Sequence, residues 1–235
     1  GDELTSEEWW TAIAKATAAR AVLPLVYGVA RSGVGPAQLL DSVVRFLPSP
    51  EAARPPRVFR PDTDDPVPSP DLREPSAFVF KTERRYGARR LAHIRVFSGA
   101  LCLGDRLRVV PDGPVVEPIE LVRLMGGEEI PVPVLEAGTV GALVFPDDTP
   151  RLSTGQTLTT GKALTLTYEP VRVPSPVIAV SIEAANLDED ERMRHLLAQL
   201  VHDDPSLTTL HDRDTGQTLL AGMGELHLEL ALERL

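Results

Sequence analysis

The sequence predicts a multidomain α+β protein in which a helix-rich segment is followed by an antiparallel β-barrel and a ferredoxin-like unit. Apolar residues recur at helical spacing near the start, short β-rich runs alternate with turn residues through the middle, and the last part orders its elements β-α-β-β-α. The chain has 235 residues, 43% of them hydrophobic, which is enough for two or three small domains. Changes in composition place the predicted segments at 1–50, 51–75, 76–173 and 174–235.

Residues 1–50 are predicted to form a helix, a strand and a second helix. Thr5 and Glu8 have the spacing of a capping box, which begins the first helix. The nearly continuous apolar run 21–27 predicts a strand buried on both faces, although Pro24 within it favours the edge of a sheet. One strand and two helices cannot enclose a core, so we interpret this segment as the last part of a larger α/β domain.

Residues 51–75 are predicted to be a linker without a fold of its own, because the stretch 48–76 holds nine prolines. The composition then changes to short β-rich runs bounded by glycine-containing turns, a pattern typical of a small antiparallel barrel. The predicted strands lie at 77–80, 91–97, 106–110, 119–124, 139–145 and 157–158.

Residues 174–235 are predicted to form a ferredoxin-like unit. A strand at 177–182 precedes a helix that Asp188 could cap, and a hairpin turning at 214–216 precedes a last helix after Gly224. A ferredoxin-like fold needs one more strand after this helix, so we expect the unit to be truncated before its last strand.

Charge is distributed unevenly along the chain. Residues 176–235 hold four basic and twelve acidic residues, net −8, within a total of −10. The predicted barrel instead carries a basic hairpin with Arg84, Arg85, Arg89 and Arg90. Close-set arginines fit the phosphate backbone of RNA, so this hairpin is a predicted RNA contact. Two other interpretations stay open: the hairpin is a solvated charged surface, or its arginines form ion pairs with the acidic residues of the segment 176–235.

Several functions are disfavoured by what the sequence lacks. It contains no phosphate loop of the Gly-x-x-x-x-Gly-Lys-Ser/Thr type, so we name no catalytic residue and expect the chain alone to be inactive towards nucleotides. Its five histidines show no helical pairing typical of a metal site, and we predict none. The single cysteine, Cys102, lies in an apolar run and is predicted to be buried. No apolar run approaches the length of a membrane span.

Distinct motifs occur in a fixed order along the chain. They are Gly1-Asp2-Glu3-Leu4-Thr5, Ala14-Lys15-Ala16-Thr17, Val26-Tyr27-Gly28-Val29-Ala30, Leu47-Pro48-Ser49-Pro50, Arg95-Val96-Phe97-Ser98-Gly99-Ala100-Leu101, Asp203-Asp204-Pro205, Asp214-Thr215-Gly216-Gln217-Thr218 and Gly222-Met223-Gly224-Glu225-Leu226-His227-Leu228-Glu229. Together they resemble the translational GTPases, most closely elongation factor G and the tetracycline-resistance ribosomal protection proteins. The segment from Lys81 to Ala92 looks closer to the protection proteins, whereas the segment from Gly222 to Glu229 favours elongation factor G.

The resemblance implies a fragment holding the tail of a GTP-binding domain, a second-domain barrel and most of a third domain. It implies that Gly28, Val29 and Ala30 form the guanine-base loop, with Val29 in place of the serine usual in elongation factor G. It also implies that the intact parent binds GTP and Mg²⁺, that Arg84, Arg85, Arg89 and Arg90 contact ribosomal RNA, and that the ribosome is the partner.

The function implied for the parent is translocation or the release of tetracycline from the ribosome, in the cytoplasm. No cofactor is expected in this chain itself, and neither a membrane nor DNA is expected as a partner. The alternative function is a stand-alone adaptor that binds RNA or protein and has no GTPase activity.

Overall fold

The structure is a computed structural model that describes residues 5–61, 63, 65–67, 74–85, 89–161, 165–184, 186–212 and 216–234. The chain forms two compact units, Gly1–Pro55 and Pro56–Leu235. None of the described helices combines the length and the apolar character needed to cross a membrane.

The first unit consists of two helices, α1 (Ser6–Ala18) and α2 (Pro36–Phe46). The predicted capping box begins α1: the Thr5 N–H donates to Glu8 Oε2 at 2.8 Å, and the Glu8 N–H donates to Thr5 Oγ1 at 3.3 Å. The helices meet where the ring of Trp10 lies 5.8 Å from that of Phe46, which is buried.

The predicted strand at 21–27 is wrong: the structure describes all seven residues and places none of them in a strand. Leu23 and Leu25 are each 89% exposed, and Tyr27 is 92% exposed. A strand is held by hydrogen bonds to its neighbours, and no described strand pairs with this segment. The apolar run therefore lies outside every described strand, and its side chains at Leu23, Leu25 and Tyr27 face solvent.

The second unit begins with short strands inside the predicted linker. Strands β1 (Val58–Phe59) and β2 (Pro66–Val67) pair with each other, and β1 also pairs with β13 (Thr167–Tyr168). The expectation of a linker without structure was therefore wrong for these residues. The high proline content gave no sign of these two strands, and the distant partner of β1, strand β13, lies about a hundred positions further along the chain.

Antiparallel strands form most of the second unit. They are β3 (Ser76–Arg85), β4 (Arg89–Ser98), β5 (Ala100–Cys102), β6 (Leu107–Val110), β7 (Val115–Val116), β8 (Glu120–Met125), β9 (Glu128–Pro131), β10 (Val134–Glu136), β11 (Val140–Pro146) and β12 (Thr157–Thr159). Eight of them form one sheet in the order β7-β6-β12-β3-β4-β11-β8-β9, and β10 pairs with β5. Leu107 near one end of this order and Leu121 near the other share one buried core, so the sheet curves around that core as a barrel does.

The last part has the predicted β-α-β-β-α order. Its elements are β14 (Ile178–Ile182), α3 (Leu187–Asp203), β15 (Thr208–His211), β16 (Thr218–Gly222) and α4 (Glu225–Leu232). The three strands are antiparallel in the order β14-β16-β15, and buried leucines of α3, α4 and β16 form the core beside them. The N-cap of α3 is Asn186, whose Oδ1 accepts the Glu189 N–H at 2.9 Å; the predicted cap, Asp188, lies two residues inside the helix.

Candidate nucleic-acid interface

The four predicted RNA-contacting arginines lie at one end of the β3–β4 hairpin. The register pairs Arg84 with Arg90 and Arg85 with Arg89. Because side chains alternate along a strand, the positions of Arg84 and Arg90 belong to one face of the hairpin and those of the other pair to the opposite face. The predicted turn at Tyr86-Gly87 lies outside the described residues, and so does the side chain of Arg85.

Arg90 supports the barrel. Its side chain is only 16% exposed, and its Nε lies 3.3 Å from Asp147 Oδ1. Its Nη2 donates to the carbonyl oxygens of Pro146, at 3.1 Å, and Asp147, at 2.6 Å, and also to that of Thr149. Burial lowers the pKa of the Arg90 guanidinium, and the negative charge of Asp147 opposes this decrease. Arg90 therefore fixes the loop that follows β11 and presents little surface to an outside ligand.

Arg84 and Arg89 are more accessible, with side chains 47% and 41% exposed. The Nη2 of Arg84 donates to Asp147 Oδ2 at 2.5 Å, and its Nη1 donates to Gln199 Oε1 on α3 at 3.3 Å. Arg89 pairs with Glu120 on β8. Ion pairs at this exposure contribute little to stability and exchange readily with other charged partners.

A small cavity lies behind Arg84, between the barrel and the end of α3. Its polar lining consists chiefly of Arg84, Arg90, Arg151, Gln199, His202 and Asp203. At about 30 Å³ it has room for about two water molecules, so it is not a nucleotide site. Burial raises the pKa of the Asp203 carboxyl, and the positive charges of His202 and the three arginines oppose the rise. Next to the cavity, His202 Nε2 lies 2.9 Å from the Leu152 carbonyl oxygen, a second polar contact between α3 and the barrel.

The Gly222–Glu229 motif forms a turn that its own histidine fastens. The Met223 N–H donates to His227 Nδ1 at 3.2 Å, so the ring proton lies on Nε2, which donates to Asp204 Oδ2 at 3.1 Å. Burial by itself raises the pKa of Asp204, but hydrogen bonds from Ser206 and His227 outweigh burial and lower it. A Cβ at Gly222 would lie 2.9 Å from Leu228 Cδ2, so a larger residue would force the side chain of Leu228 to shift.

His227 had no predicted role beyond its place in the Gly222–Glu229 motif. Its partner Asp204 lies in another of the motifs, Asp203-Asp204-Pro205, so the two motifs form one structural feature. Two specific motifs in one domain, one with a carboxylate and one with a histidine, were the signal that could have suggested this pairing.

The predicted guanine-base loop forms a tight turn closed on itself. Val29 and Val34 form an isolated bridge, with the Val29 N–H donating to the Val34 carbonyl at 2.8 Å, and a single 3-10 turn covers Ala30–Ser32. Gly28 permits the close approach, because a Cβ there would lie 2.7 Å from the Val34 oxygen. Val29 is 57% exposed, so the turn is open to solvent.

Cys102 has other surroundings than expected, and His93 packs inside the sheet. Cys102 is exposed, contrary to the prediction, because alternation along β5 directs Leu101 into the core and Cys102 away from it. His93 is buried, with Nε2 3.1 Å from Glu83 Oε1 on the neighbouring strand. No group of three or more possible metal-ligating side chains occurs within the described part of the chain.

Comparison with known proteins identifies the family. Residues 173–235 match the family model of elongation factor G, domain III. The chain is 34% identical to the mitochondrial ribosome-releasing factor 2 of Kluyveromyces lactis, over 95% of this chain and 30% of that protein. A crystal structure of a Thermus thermophilus protein superimposes with a TM-score of 0.74 at 28% identity, over 100% of this chain and 32% of the other. The chain thus spans about a third of each of these relatives. Residues 173–235 therefore belong to the elongation factor G domain III family, and the chain as a whole is similar to ribosome-releasing factor 2.

Proposed function

We propose that this chain is part of a ribosome-dependent GTPase and holds the end of its GTP-binding domain, its second-domain barrel and most of its third domain. The similarity to ribosome-releasing factor 2 along 95% of the chain carries this proposal, because it spans all three segments. We keep the segment boundaries 1–50, 51–75, 76–173 and 174–235 as part of it.

GTP with Mg²⁺ is the cofactor proposed for the intact protein, where hydrolysis of its terminal phosphate supplies the driving force for a conformational change. In this chain, Gly28, Val29 and Ala30 would border the guanine base. The Val29 N–H already donates to Val34, so the neighbouring amides would have to bind the guanine carbonyl. The exposed, glycine-permitted turn fits the edge of a planar base, and phosphate and metal contacts would come from residues outside this chain.

The ribosome is the proposed partner, reached in part through the basic hairpin. Of its arginines, Arg84 and Arg89 carry the proposed phosphate contacts, because their side chains are the more accessible and their ion pairs are exchangeable. Arg85 stays in the proposal on its position in the hairpin, whereas Arg90 supports the other arginines from inside.

Translocation, release of tetracycline and release of ribosomes are three outcomes of the same chemistry in such a GTPase. The name of the relative favours release of ribosomes, and a tetracycline-susceptibility test of cells expressing the full gene separates the protection function from the other two. The proposed compartment is the cytoplasm. The mitochondrial relative makes the mitochondrial matrix the alternative.

The test uses the full-length protein and purified ribosomes. We expect ribosomes to stimulate GTP hydrolysis. Arg84→Gln with Arg89→Gln should weaken ribosome binding and reduce its dependence on salt by less than about one unit of slope per lost phosphate contact, because each arginine has to leave a carboxylate before it binds a phosphate. Arg123→Gln, at an exposed position of β8 away from the hairpin, is the control. Absence of ribosome-stimulated hydrolysis in the full-length protein would overturn the proposal.

A further inference from the structure

Arg84 is the residue of the basic hairpin that joins the barrel to the third domain. Its guanidinium donates through Nη2 to Asp147 in the barrel and through Nη1 to Gln199 on α3. Arg89, on the other face of the hairpin, pairs with Glu120 inside the barrel. The proposed RNA contact and the contact between the two domains thus share one side chain.

We propose that an RNA phosphate at Arg84 displaces Gln199, so that RNA binding to the barrel loosens the hold of the barrel on α3. This inference rests on the proposed RNA contact and names its regulation. A phosphate binds arginine best through two parallel N–H groups of the planar fork. Arg84 already donates one N–H from each terminal nitrogen, to Gln199 and to Asp147. A phosphate that binds end-on, through one N–H of each terminal nitrogen, therefore competes with Gln199 for Arg84.

The exchange leaves no charged group without a partner. Asp147 keeps its second arginine, since Arg90 Nε remains 3.3 Å from Oδ1. Gln199 is neutral and also lies 2.6 Å from His195 Nε2 through its own Nε2, so its amide stays hydrogen-bonded. Replacement of a neutral amide by a phosphate strengthens the bond to Arg84. Exchange at Arg84 is therefore favourable.

The loosening is local. The contact of His202 with the Leu152 carbonyl, 2.9 Å long, does not involve Arg84 and keeps the end of α3 against the barrel. Coupling between two binding events is reciprocal. If RNA weakens the contact between Arg84 and Gln199 by a certain factor, then loss of that contact must raise the affinity of the barrel for RNA by the same factor. The hydrogen bond from Arg84 to Gln199 is exposed and 3.3 Å long, at the weak end of the usual range, which makes this factor about threefold.

The experiment measures two quantities on the whole chain. Binding of a fluorescein-labelled RNA hairpin is followed by anisotropy, and the contact by hydrogen exchange of the α3 backbone with and without that RNA. Gln199→Ala should tighten RNA binding about threefold. Gln199→Glu, which holds Arg84 with a charge, should weaken it more than Ala198→Glu, a control with the same charge at the exposed neighbouring position. A loss of folding would shift both Gln199 variants in the same direction, so their opposite signs are diagnostic.

Two arginine variants separate this inference from the proposed function. Arg84→Gln should weaken RNA binding and abolish the RNA-induced change in α3 exchange, whereas Arg89→Gln should weaken binding and keep that change. If neither variant alters RNA binding, the proposed RNA contact is wrong. If both alter it while Gln199→Ala leaves the affinity unchanged and RNA leaves α3 exchange unchanged, the contact stands and the coupling is overturned.

Discussion

Replacement of His227 tests whether the Gly222–Glu229 turn is fastened as the structure shows. The side chain makes two hydrogen bonds, one from the Met223 N–H and one to the Asp204 carboxylate. A neutral hydrogen bond contributes about 1 kcal/mol to stability, and one to a charged group about 2 kcal/mol. The side chain is 26% exposed and water replaces part of both bonds, so we expect His227→Ala to lower the free energy of unfolding by about 2 kcal/mol.

A pair of partial substitutions divides this loss. His227→Asn can keep an acceptor near Met223 and loses the Asp204 bond, whereas His227→Gln can keep a donor near Asp204 and loses the Met223 bond. Because the charged bond is the stronger, we expect Asn to destabilise more than Gln, and Ala more than either. Urea denaturation followed by far-ultraviolet circular dichroism provides the free energies.

The pH dependence is a second measure of the same contact. The pKa of Asp204 is lowered in the folded state, so its stabilising contribution is complete above the ordinary value of 3.8 and is lost as the pH falls below it. His227→Ala should reduce this acid-sensitive part, since one of the bonds that lower the pKa is gone. A loss below about 0.5 kcal/mol for His227→Ala, equal for the Asn and Gln variants, would refute the fastening role.

Three further predictions concern other parts of the chain. Burial raises the pKa of Asp203, so Asp203→Asn should raise the free energy of unfolding at pH 7, by less than about 1 kcal/mol because water still screens the cavity. The difference from the unmutated chain, measured by urea denaturation, should vanish below pH 3.8, where the carboxyl is protonated in both the folded and the unfolded state. Hydrogen exchange should be fast across 21–27, which has no strand pairing, and slow across β4 and β11; equal protection would contradict this. Calorimetric titration of this chain with GTP and Mg²⁺ should show no saturable heat, since the sequence has no phosphate loop, and a micromolar Kd would show that another site binds the phosphates.

Local signals in the sequence predicted the elements that depend on local chemistry. The capping box at Thr5 and Glu8 and the β-rich run at 91–97 each act within a few residues, and both elements formed. The run 21–27 failed because a strand needs neighbours, which no local pattern supplies. The prediction that Cys102 is buried was wrong because its apolar run contains a strand of only three residues, which is too short for its alternation to be recognised in the sequence.

The sequence predicted the arginine hairpin but not the contacts that its arginines make. Charge density alone indicated the hairpin, and the register places Arg84 opposite Arg90 across the two strands. Arg90 is mostly buried and Arg84 is accessible, and both pair with Asp147, which lies more than fifty residues further along the chain. The pairing of His227 with Asp204 likewise joins two motifs that were noticed separately.

The ion pairs of the hairpin change how its charge acts on RNA. Four arginines counted from the sequence suggest four phosphate contacts, and each contact with double-stranded nucleic acid adds about 0.9 to the slope of binding against salt. Arg90 is held by Asp147 and by three carbonyl oxygens of the barrel, so it brings no counterion release of its own. Arg84 and Arg89 must each leave a carboxylate before they can bind a phosphate. Asp147 then keeps its ion pair with Arg90, whereas Glu120 takes up a cation from solution. An RNA contact made by the hairpin in this arrangement should therefore show a shallow dependence of binding affinity on salt. A slope of about four would mean that the arginines bind RNA from a different arrangement of the hairpin.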